Sequence, residues 1–568
     1  MVTLSTPRRS QMKASRSDRN VVSGRFLLTV AVITLLVLAV FVQHVDSSVE
    51  WVIFTLSVLP IFTTLYNRLL FLKGSVVNRD EVFAPHPTGS TRTTLPGVAL
   101  IIASCKEPFE VAKMTFDCAY RARYSGTREI IVVDNTQDTT DVDFRLWKSY
   151  VESHAGRDAG IRVVFRHNSD SAGKKPGNID LAQKLIVDSE YVVFLDVDSS
   201  LPLDTDLLDI AVNRFEDDPK LGVLQFHTVP TNNHFNRLSR AVSVAQHALR
   251  MTYLMRARGG FAMFYGHNGM WRRSLLDVNG SWLEHYRDNV IVTEDLLKTL
   301  GVYTNGYSFE YMNVPTGEWV PSSLKALDSM WMRWTYGGFQ VLFKYFRPIV
   351  TAKGLSRMQR IDLATMLVSY GTSPLTYPLA FLWFAVLPAA QAALLVSLVL
   401  WLPMLLCAGV MWRHHRGADR RPMLKRLGDL YAGMFLVETF ILAVQTRAVV
   451  NFIAGKKQGW RVTAKGTEDR PRGLEVLTGN RFMVGLSGLT IVALVAGWGY
   501  CHGFAASALF GYLVVALIPV QLLLCIVVYG GEVQGADEDV LTAVIDPTGL
   551  EPVIGEELLV VASARANC

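Results

Sequence analysis

The sequence predicts a largely parallel α/β domain inserted in an α-helical transmembrane bundle, and three observations lead to this fold class. Half of the 568 residues are hydrophobic, and the mean hydropathy of +0.24 is higher than in an average soluble protein. The apolar residues concentrate near the N-terminus and after about residue 360. The stretch between them, 95–345, mixes short apolar runs with polar segments and is long enough for one domain with its own core.

Six apolar runs are long enough to cross a membrane, because a spanning helix needs about 20 consecutive apolar residues. The runs are grouped in three pairs that occupy 26–72, 364–411 and 482–530. Taken one by one, they are 26–45, 50–72, 364–388, 389–411, 482–500 and 504–530. The sequence therefore predicts six transmembrane helices, two before the α/β domain and four after it.

The basic N-terminal tail, residues 1–25, predicts the orientation of these helices. Its positive charge favours a cytoplasmic position and contact with anionic lipid headgroups. The residues that carry this charge are Arg8, Arg9, Lys13, Arg16, Arg19 and Arg25. Two spans then return the chain to the same side. We therefore expect the 95–345 domain, the segment 412–480 and the tail 531–568 to be cytoplasmic.

A seventh apolar run, 430–453, is interpreted as a helix at the cytoplasmic interface or packed within the bundle. It contains Glu438, Gln445 and Arg447, which are costly inside lipid. If this run crossed the membrane, the basic stretch 456–472 would lie outside, against the charge rule. The prediction is a multi-pass protein of the plasma (inner) membrane with its α/β domain in the cytoplasm.

Cysteine and charge patterns argue against two other classes of protein. The six cysteines are scattered without the spacing of a metal site, so we expect them to be reduced. No nucleic-acid recognition module follows the basic tail, so no nucleic acid partner is expected.

Short apolar runs alternate with helical patterns within 95–345, which predicts βαβ units and a parallel sheet. The expected strands are 97–103, 129–134, 161–165, 191–198 and 221–226. In such sheets ligands bind beyond the carboxyl ends of the strands. Polar residues follow four of these strands, and they are Ser104 to Glu107, Asp134-Asn135, Arg166-His167 and Asp196 to Asp198.

One of these strand ends and a separate turn carry groups that suit a diphosphate. Asp196 and Asp198 are separated by one residue and can hold a hard divalent cation, Mg²⁺ or Mn²⁺, which would act as a Lewis acid on a leaving diphosphate. The alternative is a solvated turn at a strand end. Lys175 lies in a Gly-containing turn before a helix, a position that suits phosphate contact, although a basic surface turn is the favoured interpretation of this segment taken alone.

Acidic residues near position 295 provide a candidate for proton transfer. Group transfer to a hydroxyl requires a base, and a partly buried carboxylate beside another carboxylate can be tuned for that work. Asp295 is the candidate base, with Glu294 as its neighbour. The alternative is a helix start with acids in its first turn.

Two further segments are candidate binding elements. Arg333 could pair with pyrophosphate oxygens and Trp334 could stack on an acceptor sugar, or both could belong to an aromatic and basic belt at the membrane interface. His267 and Asn268 lie in a compact polar turn that could line an acceptor site or be only a loop.

The order and spacing of these motifs resemble the processive family 2 glycosyltransferases, which include cellulose, hyaluronan, chitin and related β-glucan synthases. Their pattern is D, DxD, (T)ED and QxxRW, and Asp134, Asp196-x-Asp198, Thr293-Glu294-Asp295 and Arg333-Trp334 match it in order. The segment from Trp460 to Gly466, WRVTAKG, resembles the FxVTxKG gating loop of cellulose synthases. The resemblance covers roughly residues 95–470.

This resemblance implies a GT-A (Rossmann-like) fold for the cytoplasmic domain and assigns expected roles to individual residues. The nucleotide would be contacted by Glu107, Asp134 and Lys175, and the diphosphate and metal by Asp196 and Asp198. Asp295 would be the general base, and Arg333 and Trp334 would hold the pyrophosphate and the acceptor. Thr463 and Lys465 would close over the bound substrate.

The implied activity is inverting, processive transfer from a UDP-sugar, with UDP-glucose as the first candidate donor, to a growing polysaccharide acceptor. Membrane lipid and an export or accessory subunit are the further expected partners. Met330 in place of the motif glutamine, Asn135 in place of a second aspartate and His267 in the usual GTN turn depart from the cellulose synthase pattern. These departures leave the linkage open.

Other functions are compatible with parts of this pattern. A hyaluronan- or chitin-type synthase would use UDP-N-acetylglucosamine on the same motif set. A non-processive transferase acting on a lipid carrier would need the aspartates but not Arg333, Trp334 or the gating loop. A transporter or channel would need polar residues at mid-membrane, and the six runs offer few. The presence of Asp196, Asp198 and Asp295 argues against an inactive scaffold.

Overall fold

The computed structural model describes residues 20–43, 45–76, 95–170, 172–415, 422–458 and 471–532. The predicted gating-loop residues Thr463 and Lys465 lie outside the described residues, as do the basic tail before residue 20 and the tail after residue 532.

A mixed seven-stranded sheet forms the centre of the α/β domain in the described part of the chain. Its strand order is β3-β2-β1-β4-β6-β5-β9. A separate two-stranded hairpin is formed by β7 and β8. The strands are β1 Gly97–Ser104, β2 Arg128–Asp134, β3 Ile161–His167, β4 Ser189–Leu195, β5 Leu221–Pro230, β6 Gly269–Arg272, β7 His285–Tyr286, β8 Asn289–Val290 and β9 Ser308–Glu318.

Parallel pairing brings the carboxyl ends of the first strands to one edge of the sheet. Ser104 is paired with Asp134, and Asp134 is paired with His167, so β1, β2 and β3 end at the same level. Strand β4 also runs parallel to β1, with Ile102 opposite Leu195. Only β6 is antiparallel to its neighbours within this sheet, and it lies between β4 and β5. The sequence prediction of a largely parallel sheet built on β1 to β5 is confirmed.

Helices connect these strands and cover both faces of the sheet. They are α3 Phe109–Arg121, α4 Val142–Glu152, α5 Lys174–Gln183, α6 Leu207–Asp217, α7 Arg237–Arg256, α8 Arg273–Asn279 and α9 Glu294–Thr304. Side chains of a strand alternate between faces, and the core divides accordingly. Leu100 and Ile102 face one buried cluster, whereas Ala99 and Ile101 face a second cluster that continues into the apolar helices. The domain and the helical bundle therefore share one core.

The N-terminal helices are α1 Gly24–Val42 and α2 Ser48–Val76. After the α/β domain the helices are α10 Leu324–Thr351, α11 Arg357–Thr372, α12 Thr376–Val386, α13 Ala389–Val396, α14 Leu402–His415, α15 Met423–Tyr431, α16 Glu438–Ile453, α17 Leu474–Gly479, α18 Arg481–His502 and α19 Ala506–Tyr529. Short π-helical segments, Ser397–Trp401 and Ala432–Val437, join α13 to α14 and α15 to α16.

Among the described residues, six helices are long and apolar enough to cross a membrane. This is the pattern of a multi-pass membrane protein. The six are Gly24–Val42, Ser48–Lys73, Ala390–Arg413, Met423–Ile453, Arg481–His502 and Ala506–Tyr529.

Two of these assignments differ from the sequence interpretation. The run 364–388 is not one helix, because a 3₁₀ turn at Ser373–Leu375 separates α11 from α12. Pro374 lies in this turn and disfavours helical backbone before it. Conversely, the run interpreted as interfacial, 430–453, lies within a continuous helix of 31 residues that meets the length and composition of a span.

Two charged residues of this long helix are paired with side chains of neighbouring helices. Glu438 accepts a hydrogen bond from Arg68 of α2 at 3.2 Å. Arg447 pairs with Asp328 of α10. Charged groups inside a membrane protein are tolerated where they are paired within the bundle. The charges that argued against membrane insertion are therefore accommodated inside the helical bundle.

The sheet order, the single antiparallel strand β6 and the helices on both faces define a GT-A-like mixed α/β core flanked by apolar helices, as predicted.

A buried ion pair joins the domain to the bundle. Arg256, the last residue of α7, pairs with Asp362 of α11, and their side chains are 2% and 0% exposed. The Tyr66 hydroxyl of α2 donates to Asp362 at 2.7 Å, and the backbone amide of Phe261 donates to the same carboxylate at 2.8 Å. Arg256 also donates to the side chain of Asn67 at 2.6 Å. Three helices thus converge on one buried charge pair.

We expect Arg256→Met to lower the free energy of unfolding by about 3–5 kcal/mol, because it leaves a buried carboxylate without its charge partner. Thermal unfolding of the detergent-solubilised chain measures this change. The matched control is Arg145→Met at an exposed position, which should change stability by less than about 0.5 kcal/mol. Equal stability of the two variants would contradict the role assigned to the ion pair.

Candidate active site

A cavity lies at the carboxyl edge of the sheet, against the amphipathic helix α10. It is where the sequence analysis placed ligand binding in a sheet of this kind. The predicted residues that line it are Glu107, Lys175, Asp196, Asp198, His267, Glu294, Asp295, Arg333 and Trp334. Residues separated by more than 200 positions in the chain thus share one wall.

The turn that carries Asp196 and Asp198 is fixed by hydrogen bonds. Asp196 directly follows β4, and its backbone amide donates to the Ser199 hydroxyl at 3.0 Å. The Thr115 hydroxyl of α3 hydrogen-bonds to the carbonyl oxygens of Val197 and Ser199, at 2.6 Å and 2.8 Å. These contacts hold the turn in place, so both carboxylates reach the cavity wall.

Lys175 supplies a positive charge beside this turn. Its ammonium nitrogen Nζ lies 2.5 Å from Asp196 Oδ1 and donates to the Gly266 carbonyl oxygen at 3.2 Å. Burial alone would lower the pKa of Lys175, but the carboxylates of Asp196, Glu294 and Asp295 raise it above its ordinary value. Lys175 is therefore held as a cation, which suits contact with a phosphate.

Arg333 of α10 is a second cation in the cavity. Burial lowers its pKa, and the carboxylates of Glu294, Asp196 and Asp295 oppose this effect. An arginine stays protonated in proteins even with such a shift. Its guanidinium can form two parallel hydrogen bonds with a phosphate. Trp334 follows it in the chain and lines the same cavity.

Backbone and glycine contacts position the acidic pair Glu294 and Asp295 at the start of α9. Gln340 of α10 accepts from the Val292 amide and donates to the Val290 carbonyl oxygen, each at 3.1 Å. A Cβ atom at Gly337 would lie 2.5 Å from the Thr293 side chain, so glycine is required for this close approach. Helix α10 is thereby locked onto the segment that carries the two acids.

The two acids differ in exposure. Glu294 is 4% exposed, whereas Asp295 is half-buried and faces the cavity. Burial raises the pKa of Glu294 to about 7, with a further contribution from the charge of Asp295. Burial also raises the pKa of Asp295, while the Leu296 amide and the Lys175 ammonium oppose the change. A carboxylate with a raised pKa in contact with the cavity is suited to accept a proton near neutral pH.

Gly266 lies close to both Lys175 and Asp295 in the wall of the cavity. It adopts a positive φ of 88°. A Cβ atom at this position would lie 3.4 Å from Asp295 and 3.6 Å from the Lys175 nitrogen. The turn at Gly266 is therefore close to both the base candidate and the cation beside Asp196.

His267 follows this turn and contacts a buried ion pair. Its Nε2 lies 3.3 Å from Glu318 Oε2, at the end of β9. The Arg250 guanidinium of α7 donates to both oxygens of Glu318, at 2.9 Å and 2.7 Å, and lies 4.0 Å from the centre of the Tyr265 ring. Burial would raise the pKa of Glu318, but Arg250 and His267 lower it to about 2. The sequence analysis did not identify Glu318 or Arg250.

Two of the predicted site residues are described but do not line the cavity. Asp134 is 2% exposed and accepts hydrogen bonds from the Ser104 hydroxyl at 2.6 Å and the Thr136 amide at 2.7 Å. Its neighbour Asn135 reaches the cavity instead. Asn268 is fully buried, and its side-chain amide donates to β9 at Thr316 and Gly317. The hydrogen bonds of both side chains therefore hold the ends of the strands in position.

The donor set for a metal is limited to carboxylates of the DxD turn. Within the described residues, no group of three or more His, Cys, Asp or Glu side chains could hold a metal ion. Asp196 and Asp198 line the cavity side by side, and two carboxylates leave most positions of a hard cation for other oxygens. The residues therefore fit Mg²⁺ or Mn²⁺ when a bound diphosphate supplies further oxygen ligands. They do not form a site in which the protein supplies all the ligands.

A second cavity lies among the apolar helices and shares Gln246 of α7 with the first. Trp331 lines the second cavity, Trp334 lines the first, and their ring centroids are 5.1 Å apart. Besides Gln246, the polar residues that line the second cavity include Thr64, Asn67, Arg68, Thr252, Tyr253, Arg256, Ser369, Tyr370, Glu438, Thr439 and Gln445. The second cavity is thus a partly polar space that adjoins the first inside an apolar bundle.

Comparison with known proteins finds a family model that matches the central part of the chain. Residues 191–414 match the model of Glycosyl transferase family group 2. A probable glucomannan 4-beta-mannosyltransferase 6 of Oryza sativa subsp. japonica is 25% identical over 398 residues. That alignment covers 68% of this chain and 66% of the plant protein, so the chain spans just under two thirds of its relative.

Two solved structures resemble the chain. A mannosyltransferase from Pyrobaculum calidifontis, in complex with GDP-Man and Mn²⁺, gives a TM-score of 0.46 at 17% identity and covers 71% of this chain and 99% of its own. S. aureus TarS gives a TM-score of 0.32 at 13% identity over 60% of this chain and 55% of its own. The similarity of residues 191–414 to glycosyltransferases is found in a chain whose sheet has the topology of a GT-A-like fold.

The raised pKa of Glu294 predicts how the stability of this site varies with pH. Its pKa of about 7 in the folded chain exceeds the ordinary value of 4.5, so the folded state favours the protonated acid. Stability from this group is complete below about pH 4.5 and is lost as the pH rises through about 7. We expect Glu294→Gln to raise the melting temperature relative to the unsubstituted chain by about 2–4 °C more at pH 8 than at pH 5.

The matched control for this measurement is Glu190→Gln, at an exposed position of β4. Its effect on the melting temperature should be the same at both pH values. A Glu294→Gln effect that does not change between pH 5 and pH 8 would show that Glu294 ionises as an ordinary carboxylate.

Proposed function

We propose that this protein is a processive, inverting glycosyltransferase that polymerises a nucleotide-activated hexose into a β-linked polysaccharide and moves the product across the membrane. The observation that carries the proposal is a single cavity in which a half-buried carboxylate, two cations and a DxD turn meet. The plasma membrane is its proposed location, with the α/β domain in the cytoplasm, where nucleotide-sugars are available.

The proposed reaction is one displacement at the anomeric carbon of the donor sugar. The carboxylate of Asp295 takes the proton from the acceptor hydroxyl, whose oxygen then attacks the anomeric carbon opposite the departing nucleoside diphosphate. Attack from that side inverts the configuration and gives a β-linkage. Lys175 and Arg333 stabilise the negative charge that develops on the leaving diphosphate.

Asp196 and Asp198 would hold a divalent cation, which when bound would neutralise the leaving diphosphate. Glu294 has a separate role in the proposal. Glu294 is buried and its charge interacts with that of Asp295. These two features support a role in keeping the pKa of the base Asp295 above its ordinary value, and not a role as a second base. Glu107 and Asn135 line the cavity near the strand ends and are the proposed nucleotide contacts, while Asp134 supports them from behind.

Processivity is supported by the second cavity. A product that leaves the first cavity past the Trp331–Trp334 pair would enter a space lined by hydroxyl, amide and aromatic groups. Aromatic faces bind sugar rings without fixing their register along the chain. The Arg68–Glu438 pair in the wall offers hydrogen-bonding groups to sugar hydroxyls without leaving an uncompensated charge in the bundle.

UDP-glucose is the first proposed donor, on the resemblance of the segment 460–466 to the gating loop of cellulose synthases. GDP-mannose is the second, because the plant relative is named as a glucomannan mannosyltransferase. A panel of UDP-glucose, GDP-mannose, UDP-N-acetylglucosamine and UDP-galactose, each with Mg²⁺ or Mn²⁺, distinguishes these donors.

We expect the purified full chain to release nucleoside diphosphate from one of these hexose donors and to build a long product. Product length on a gel tests processivity, and linkage-specific glycosidases identify the bond. A product with a single added sugar on a lipid would instead establish the non-processive alternative. No turnover with any donor would contradict the proposed function.

Asp295→Asn should lower turnover by about 10²–10⁴-fold, because the amide cannot accept the proton of the acceptor hydroxyl. Affinity for the nucleoside diphosphate should stay nearly unchanged, since the variant keeps the size of the side chain and the two cations. Steady-state turnover and equilibrium nucleotide binding measure the two effects. Asp277→Asn, at an exposed position of α8, is the matched control and should retain full activity. Unchanged turnover in Asp295→Asn would disprove the base assignment.

A further inference from the structure

His267 is held in one orientation by contacts on both its backbone and its ring. Its carbonyl oxygen accepts a hydrogen bond from the Gln225 side chain at 3.1 Å. Its Nε2 contacts Glu318 at 3.3 Å, and Glu318 is itself fixed by a bidentate contact with Arg250. Side chains so restrained are preorganised for a ligand, because little rotamer freedom remains to be lost on binding.

The second ring nitrogen of His267 is unused in the described part of the chain. Nδ1 is buried and has no hydrogen-bond partner among the described residues. A buried polar group without a partner is unfavourable, and such groups in folded proteins call for an explanation. The imidazole lies in the wall of the active-site cavity, where a bound substrate can supply the missing partner.

The position of His267 indicates which part of a substrate would supply the missing hydrogen-bond partner of Nδ1. The preceding residue, Gly266, accepts a hydrogen bond from Lys175 at its carbonyl oxygen, and a Cβ atom at Gly266 would lie 3.4 Å from Asp295, so this turn is close to both groups. Lys175 pairs with Asp196, the proposed diphosphate side, and Asp295 is the proposed base for the acceptor. The sugar that is transferred must lie between the diphosphate and the acceptor. His267 therefore borders the place of the donor sugar ring.

We propose that His267 determines donor-sugar specificity: its Nδ1 hydrogen-bonds to a hydroxyl of the transferred hexose, and Glu318 and Arg250 position its ring for this contact. The assignment rests on the proposed function and adds the group that recognises the sugar. A contact made to a substrate hydroxyl by a buried, prearranged polar group discriminates strongly, because a donor without that hydroxyl leaves the group unpaired. Glu318 and Arg250 act through His267 and are positioning residues.

Two substitutions separate the two ring nitrogens. In His267→Asn the side-chain amide occupies about the place of Nδ1, so the variant keeps a hydrogen-bonding group at that place and loses the contact with Glu318. In His267→Gln the longer amide reaches about the place of Nε2, so the variant keeps the contact with Glu318 and loses the group at Nδ1. Each variant is the matched control of the other.

The experiment measures kcat/KM of the full chain, of His267→Asn and of His267→Gln with the preferred donor and with its 2-, 3-, 4- and 6-deoxy analogues. We expect His267→Gln to lose about 10- to 100-fold with the preferred donor, and His267→Asn clearly less. We also expect one deoxy analogue to be a poor donor for the unsubstituted chain and for His267→Asn. For His267→Gln, kcat/KM with this analogue should equal kcat/KM with the preferred donor.

Affinity for the free nucleoside diphosphate is measured alongside and should be equal in all three proteins. Weaker nucleotide binding in both variants would overturn the assignment, because His267 would then contact the diphosphate or support the fold. Equal losses in the two variants, with the same deoxy-donor penalties as the unsubstituted chain, would overturn it as well. Failure of the unsubstituted chain with every donor would overturn the proposed function and this assignment together, whereas the other outcomes leave the proposed function standing.

Discussion

This site depends on opposite charges that compensate one another in a buried cavity. Lys175 and Arg333 lie among Asp196, Glu294 and Asp295, and burial disfavours the charged forms of Lys175, Arg333, Glu294 and Asp295. Isolated charges in such surroundings would be strongly unfavourable, so each is retained by its opposite neighbours. The same arrangement gives the cavity its chemistry, because cations remain available for a diphosphate and a carboxylate with a raised pKa remains available for a proton.

This balance requires that the sheet and helix α10 assemble closely. The sheet supplies Asp196 after β4 and Glu318 at the end of β9, while α10 supplies Arg333 and Trp334. Gly337 and Gln340 of α10 fasten the segment before Glu294, and any bulk at Gly337 would separate them. Since α10 leads directly into the apolar helices, the geometry of the site is tied to that of the bundle. The catalytic domain and the cavity among the helices therefore form one structural unit.

The sequence identified the parts of this structure that depend on local pattern. Strands β1 to β5 were predictable because each contains a continuous apolar run, and the residues at their ends followed from parallel pairing. Strand β6 has only four residues, and β9 is interrupted by polar residues and by Pro315, its one exposed position, so neither has such a run. The contact between Arg250 and Glu318 joins residues 68 positions apart and has no local signal. Likewise, Glu438 pairs with Arg68, 370 positions away, and this contact compensates a charge in a helix that is long and apolar enough to cross a membrane.

The central claim is that synthesis in the first cavity delivers the polymer through the second. Reconstitution of the full chain in sealed liposomes tests it most directly. The nucleotide-sugar is added outside, and vesicles whose α/β domains face outward make the product. The account predicts that the growing polymer enters the vesicle lumen and resists an added glycosidase until detergent is supplied. Complete digestion of the product without detergent would contradict the account, because the polymer would then have stayed on the side where it was made.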